Sequence, residues 1–231
     1  MRKSHLKVWP LFVAALCMPA LAEEYSPALN LNGASNLYWG DLHVHSNMSP
    51  DAFSFGNTRL TPGDALSFAR GEAVVASNGM RARLLRPLDF LLVADHAEFI
   101  GVFPKVMSGD TGLLATELGA RWRSIFEEKG GVAPIVFEWL NRIQNPNYIQ
   151  ELPDSYRRQV WNEVASIADR HNEPGRFTAF VGYEWTAMIK GNNLHRVVLY
   201  RDDAKTATQV APFSALDSKD PEALWQALAS Y

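Results

Sequence analysis

The chain has 231 residues, 47% of them hydrophobic, and a formal net charge of −3 at pH 7. This length and apolar content are enough for one sizeable core. The slightly acidic balance argues against nucleic acid as a partner, because binding to a phosphate backbone requires clustered Lys and Arg.

Residues 1–22 have the pattern of a secretory signal peptide. A basic start precedes an apolar run over residues 8–18, and Ala20-Leu21-Ala22 is a small-x-small cleavage site. The alternative is a buried N-terminal helix. The single cysteine, Cys17, lies in this segment, so the remainder has no disulfide and depends on its core or a metal for stability. We therefore predict a periplasmic or secreted protein without a membrane span.

A polar lead-in over residues 23–36 precedes the predicted folded domain, residues 37–231. The first predicted strand covers residues 37–43, and a polar loop follows over residues 46–59. Thr61-Pro62-Gly63-Asp64 is typical of a helix start, with Thr61 as the cap. The near-continuous apolar run at residues 88–94 predicts a strand buried on both faces.

In the second half of the chain, helices are predicted over residues 111–129, 153–171 and 221–230. The stretch 135–149 is also predicted to be helical, with an interruption at Asn145-Pro146-Asn147. Strands are predicted over residues 177–183 and 194–200. Strands that alternate with helices indicate an α/β fold with parallel pairing.

His43 and His45 are the most informative residues of the chain. They are two positions apart at the predicted end of the first strand, and residues i and i+2 of a strand project from the same face. Both imidazoles should therefore point the same way, close enough to share one metal ion.

Other polar residues follow the later strands. Asp95 and His96 come after the second predicted strand, and Glu184 comes after the third. In parallel α/β folds, functional groups gather at the C-terminal edge of the strands. His195 lies near the start of a strand instead, so that strand is either misread or antiparallel.

Each of these residues also has a purely structural interpretation. His96 alone is equally consistent with a buried, hydrogen-bonded histidine, and Asp51 with a turn residue. A buried Glu184, however, needs a cation or several hydrogen-bond donors. A serine hydrolase based on Ser46 or Ser49 is disfavoured, because neither lies in a Gly-x-Ser-x-Gly motif. Four tryptophans are expected to pack in the core or at an interface: Trp122, Trp139, Trp161 and Trp225.

The combined set has three or four histidines and two or three carboxylates, without cysteine. Such ligands suit zinc, manganese or iron, and they exceed what one tetrahedral ion needs. We therefore expect two or three divalent metal ions, a bridging carboxylate and a metal-bound hydroxide as nucleophile.

Several separated motifs occur in order along the chain. They are Gly-Asp-Leu-His-Val-His-Ser (40–46), Ser-Pro-Asp-Ala (49–52), Thr-Pro-Gly-Asp-Ala (61–65), Asp-His-Ala-Glu-Phe (95–99), Gly-Tyr-Glu-Trp-Thr (182–186) and Asn-Asn-Leu-His-Arg (192–196). Together they resemble the polymerase and histidinol phosphatase (PHP) superfamily, and within it an uncharacterised exported bacterial branch. The resemblance covers about residues 37–200.

This resemblance implies a distorted seven-stranded (β/α) barrel, a di- or trinuclear metal site and hydrolysis of small anionic phosphoesters. Glu184 is implied as the bridging and catalytic carboxylate. Asp95 is implied to orient a ligand, and Arg196 or Arg59 to pair with the substrate anion. The metal ligands implied by the match are His43, His45, Asp51, His96, Glu184 and His195.

The chain departs from the superfamily pattern in one respect. The superfamily carries a late histidine motif on its last barrel strands, and no histidine follows His195 here. We therefore expect this chain to be the N-terminal part of such a protein, with an incomplete barrel. The alternative to a hydrolase is a truncated, non-catalytic module that binds a metal or an anion.

Overall fold

The computed structural model describes residues 36–145 and 151–231. The predicted signal peptide (1–22) and all but the last residue of the predicted lead-in (23–36) lie outside these residues. In the described part of the chain, no helix combines the length and apolar character needed to cross a bilayer.

The described residues form six strands and nine helices. The strands are β1 (Gly40–Val44), β2 (Val74–Val75), β3 (Arg81–Ala82), β4 (Phe90–Val93), β5 (Thr178–Ile189) and β6 (Asn192–Tyr200). The helices are α1 (Pro50–Ser54), α2 (Pro62–Ala69), α3 (Val102–Ser108), α4 (Thr111–Leu114), α5 (Glu117–Lys129), α6 (Ala133–Gln144), α7 (Asp154–His171), α8 (Ala204–Ala207) and α9 (Pro221–Ala229).

The main sheet has four strands in the order β1-β4-β5-β6. β1, β4 and β5 are parallel to one another, whereas β6 is antiparallel to β5. The fold is therefore mixed α/β, as predicted, and a sheet of this order is compatible with part of a barrel.

The third predicted strand is longer than expected. β5 continues through Glu184 to Ile189, so Glu184 lies within the strand and does not end it. β5 pairs with β6 throughout this extension, from Val181 opposite Tyr200 to Ile189 opposite Asn192. Backbone pairing does not require apolar side chains, and the strand therefore extends past the end of the apolar run.

A two-residue loop joins β5 to β6. Lys190 and Gly191 have φ angles of 53° and 81°. Positive φ at both positions is the backbone of a type I′ turn, whose twist matches that of the flanking strands. His195 thus lies on an antiparallel strand, which is one of the two interpretations that its position had left open.

Other differences concern loops and helix breaks. The predicted polar loop 46–59 contains α1, and the predicted helix 111–129 is divided into α4 and α5. The division occurs at Thr116, whose side chain accepts a hydrogen bond from the backbone N–H of Gly119 and so caps α5. α2 begins with the predicted cap at Thr61, which forms a full capping box with Asp64.

Aromatic side chains fill much of the core. Trp122 is fully buried and stacks on Phe99 and Phe103, with ring centroids 5.7 and 5.5 Å away. Trp161 is fully buried against Tyr183. Trp139 is also buried, whereas Trp225 on α9 is 55% exposed and does not pack in this core.

Candidate metal centre

The sheet brings the predicted polar residues to one edge. Val44, at the end of β1, is paired with Val93 at the end of β4, so the residues that follow both strands are neighbours. His96 then forms an isolated parallel bridge with Glu184. The chain segments that carry the histidines and Glu184 are therefore held together by backbone hydrogen bonds.

Glu184 lies at the centre of the cluster, and its side chain is fully buried. Its Oε2 atom is 3.0 Å from His43 Nε2, 2.8 Å from His45 Nε2 and 3.6 Å from His96 Nδ1. Its Oε1 atom is 2.5 Å from His195 Nδ1. One carboxylate thus contacts four imidazoles, including the adjacent pair of β1.

Asp51, from α1, closes a second side of the cluster. Its Oδ2 atom is 2.9 Å from His45 Nδ1 and 3.5 Å from His96 Nε2. Ser49 Oγ donates to Asp51 Oδ1 at 2.6 Å, which fixes the carboxylate. The turn residue of the sequence therefore joins the histidines, and all six predicted ligands lie in one cluster.

Three overlapping triads within this cluster could each hold a metal ion. In each triad, one ligand atom per residue lies within 4.8 Å of the others. The triads are His43–His45–Glu184, His45–Asp51–His96 and His96–Glu184–His195. Because the triads share residues, each ion would have few protein ligands and open positions for water or substrate, as catalytic sites have.

The donor atoms fit a divalent ion. Bonds of about 2.1 Å in tetrahedral geometry place ligand atoms about 3.4 Å apart. The four imidazole nitrogens lie 2.5–3.6 Å from the Glu184 oxygens, so small movements of side chains would admit an ion. His45 Nε2 is buried and has no hydrogen-bond partner, although Glu184 Oε2 is 2.8 Å away. Both atoms are therefore available as ligands of one cation.

The electrostatics of the metal-free cluster favour the protonated form of two imidazoles, those of His45 and His96. Burial lowers the pKa of His45, but the hydrogen bond to Asp51 and the adjacent Glu184 carboxylate outweigh it and raise this pKa to about 9. Burial likewise lowers the pKa of His96, but the nearby carboxylates of Asp51 and Glu98 outweigh it and raise this pKa to about 10.

The carboxylates of the cluster show the converse shift. Burial raises the pKa of Glu184, but the adjacent His45 imidazole and the charge of His96 lower it to about 2. The pKa of Asp51 lies well below its usual range, because hydrogen bonds to His45 and His96 outweigh its burial. The two carboxylates therefore stay ionised at neutral pH and need positive charge beside them.

Asp95 lies beside the cluster and supports it through hydrogen bonds to Ser46. Its side chain is buried and accepts hydrogen bonds from the backbone N–H and the hydroxyl of Ser46, both at 2.6 Å. Burial raises the pKa of Asp95 to about 6, against the opposing effect of these bonds. Ser46 follows His45 directly, so Asp95 fixes the backbone that carries this imidazole.

Of the two predicted anion-binding arginines, Arg196 is turned away from the cluster. On β6, His195 is opposite Thr186, and Arg196 is opposite Trp185. Because side chains alternate along a strand, Arg196 points to the other face of the sheet from His195 and Glu184. Its Nη1 donates to the carbonyl of His195 at 2.7 Å. Arg59 lies exposed between α1 and α2.

Three further residues belong to the site and had no predicted role. Glu98 is buried, with Oε2 3.7 Å from His96 Nδ1 and without a hydrogen-bond partner. Its Oε1 accepts hydrogen bonds from the backbone N–H groups of Ala215 and Thr186. The sequence signal that could have identified Glu98 was its position two residues after His96.

Thr186 and Ser49 support the ligand side chains. Thr186 Oγ1 lies 2.8 Å from His195 Nδ1, and Ser49 Oγ donates to Asp51.

The fold and this cluster define an α/β protein with a candidate metal centre made of imidazoles and carboxylates. The chain belongs to the family described as "Protein of unknown function (DUF3604)", whose model matches residues 32–231. No curated protein and no solved structure matches the chain significantly.

Proposed function

We propose that the protein is an exported metal-dependent hydrolase that acts on small phosphoesters. The observation that carries the proposal is the fully buried Glu184 carboxylate, contacted by four imidazoles, with Asp51 closing the same cluster. A structural ion pair would need one partner for this carboxylate, whereas a centre for two or three ions needs the whole set. Bound zinc, manganese or iron would activate a water molecule and neutralise charge on the substrate.

The residues of the chain divide the task of holding such ions. Glu184 would hold ions through both of its oxygens, because His43 and His45 lie on its Oε2 side and His195 on its Oε1 side. Asp95 positions the His45 segment through Ser46. His43 and His195 are about half exposed, with side-chain exposures of 49% and 41%, so the centre is open to a ligand from solvent.

The remaining parts of the proposal rest on the sequence. The order of the motifs, which resembles the PHP superfamily, supports phosphoesters as the substrate class. The pattern of residues 1–22 supports export to the periplasm or beyond. The acidic net charge argues against nucleic acid as the substrate.

A second candidate function is a non-catalytic module that binds a metal or an anion. The position of Arg196 on the opposite face of the sheet favours it, because that arginine is then not placed to pair with a phosphoryl group at the cluster. This candidate predicts bound metal without turnover.

Metal analysis of the purified protein, combined with an aryl phosphate assay, tests the proposal. We expect bound divalent metal, loss of hydrolysis in chelator, recovery on addition of zinc or manganese, and loss in the His43→Ala/His45→Ala variant. His171→Ala is the matched control, because His171 ends α7 and contacts the carbonyl of Ile167. Full activity in chelator or in the double variant would contradict the proposal, and bound metal without turnover would favour the second candidate.

A further inference from the structure

A cavity of about 390 Å³ opens directly beside the metal centre. Asp51, His96, Glu98 and His195 form part of its wall. The cavity therefore begins where a substrate's reacting group would lie, and it extends away from the cluster. Whatever is attached to that reacting group would occupy it.

The wall away from the cluster is apolar and comes mainly from α6. Val136, Trp139, Leu140 and Ile143 line the cavity at helical spacing, which places them on one face of this helix. Met188 from β5 and Leu216 from the segment before α9 add to this wall. An apolar surface of this kind binds apolar groups by removing them from water.

The size of the cavity indicates how large an apolar group it accepts. A dry apolar cavity of about 150 Å³ is enough to bind benzene. A volume of about 390 Å³ therefore accommodates one or two aromatic rings, or an alkyl chain of similar bulk. It lies near the lower end of ligand pockets in general, which span about 300–1,000 Å³.

The charged side chains that the described residues contribute to the cavity wall do not form a second anion site. Away from the cluster, Lys219 is the one Lys or Arg among the described wall residues, and its Nζ donates to the carbonyls of Ile143 and Asn145 at the end of α6. That position satisfies the C-terminal carbonyls of the helix. A polyol or a nucleoside would bring several hydroxyl or ring nitrogen groups to a mainly apolar wall, where groups without partners weaken binding.

We infer that the substrate is an ester whose alcohol portion is a bulky apolar group, aryl or alkyl, held in this cavity. The inference rests on the proposed function and narrows its substrate class. The inference predicts that sugar phosphates and nucleotides are poorer substrates than such esters.

The test compares phosphomonoesters whose leaving alcohols have similar acidity, so that differences report binding in the cavity. We expect kcat/KM for 2-phenylethyl phosphate to exceed that for ethyl phosphate and glycerol phosphate by about 10- to 100-fold, the value of burying one phenyl side chain. In parallel, calorimetry should show 2-phenylethylphosphonate binding more tightly than ethylphosphonate by a similar factor.

Two variants tie the preference to this cavity. Val136→Trp, which fills the cavity, should reduce the preference for the phenyl compounds to about threefold or less, and Leu140→Ala should reduce it by about 3- to 10-fold. Phe137→Trp is the control on the same helix, because Phe137 is 72% exposed and does not line the cavity. Circular dichroism checks that each variant is folded.

The outcomes separate this inference from the proposed function. Hydrolysis without a phenyl preference, or a preference that survives both cavity variants, overturns the inference and leaves the proposed function standing. Equal or better turnover of nucleoside monophosphates also overturns it. Absence of hydrolysis, with a phenyl preference in phosphonate binding that Val136→Trp removes, contradicts the proposed function and supports the apolar binding site.

Discussion

Replacement of Glu184 by Gln is expected to lower the number of tightly bound divalent ions and to reduce phosphoester hydrolysis by about 10²- to 10³-fold. Gln has nearly the same size as Glu, so the variant removes the charge with little change of packing. Glu184 is fully buried and contacts His43, His45, His96 and His195. Without its charge, no single group in the described structure bridges the imidazoles of β1 and β6.

Metal content by mass spectrometry and kcat/KM with an aryl phosphate measure this effect. Glu173→Gln is the matched control, because Glu173 is a partly exposed carboxylate that pairs with Arg70 and Arg176. It should retain both metal and activity. A Glu184→Gln protein with the full metal content and undiminished kcat/KM would show that this carboxylate does not hold the ions.

Metal affinity is expected to rise steeply with pH, with about two protons released per centre filled at pH 7. The pKa values of His45 and His96 are raised to about 9 and about 10, so both side chains are positively charged imidazolium ions at neutral pH in the metal-free protein. A metal binds the deprotonated nitrogen and must displace these protons. The association constant should therefore increase by up to about 100-fold per pH unit between about pH 6 and 8, and less steeply above pH 9.

Zinc titration calorimetry at pH 7 in two buffers of different ionisation enthalpy, such as Pipes and Hepes, counts the protons. The carboxylates do not contribute, because the pKa of Glu184 is lowered to about 2 and that of Asp51 lies further below. His171→Ala should leave the count unchanged. Release of fewer than about half a proton, with an affinity independent of pH, would show that the ion does not displace protons from these imidazoles.

The sequence predicted the histidine pair well, because the relevant signal is local. The spacing of His43 and His45 is enough to place two side chains on one face, and both contact the same oxygen of Glu184. The buried run before Asp95 likewise predicted β4. Short-range periodicity determines such features, and no distant contact is needed to read them.

Features that depend on distant pairing were predicted less well. Glu184 was expected to follow its strand, but pairing with β6 extends β5 beyond the apolar run. The same register turns Arg196 away from the cluster, which no local pattern indicated. The Lys190-Gly191 turn was the available signal, although Asn-Gly or Asp-Gly would have indicated a type I′ hairpin more strongly.

The sequence also did not predict the cavity beside the candidate metal centre. The apolar face of α6 is readable from the spacing of Val136, Leu140 and Ile143, yet spacing alone does not distinguish a face packed in the core from one that lines a cavity. That distinction depends on where Met188 and Leu216 lie, and these residues come from separate segments of the chain.

A crystal structure of the zinc-loaded protein, with anomalous difference maps at the zinc edge, tests the metal centre most directly. The result predicted is at least one strong peak at bonding distance, about 2.0–2.2 Å, from a Glu184 carboxylate oxygen and from imidazole nitrogens of the surrounding histidines. Peaks elsewhere on the surface, with Glu184 bonded only to protein groups, would contradict it.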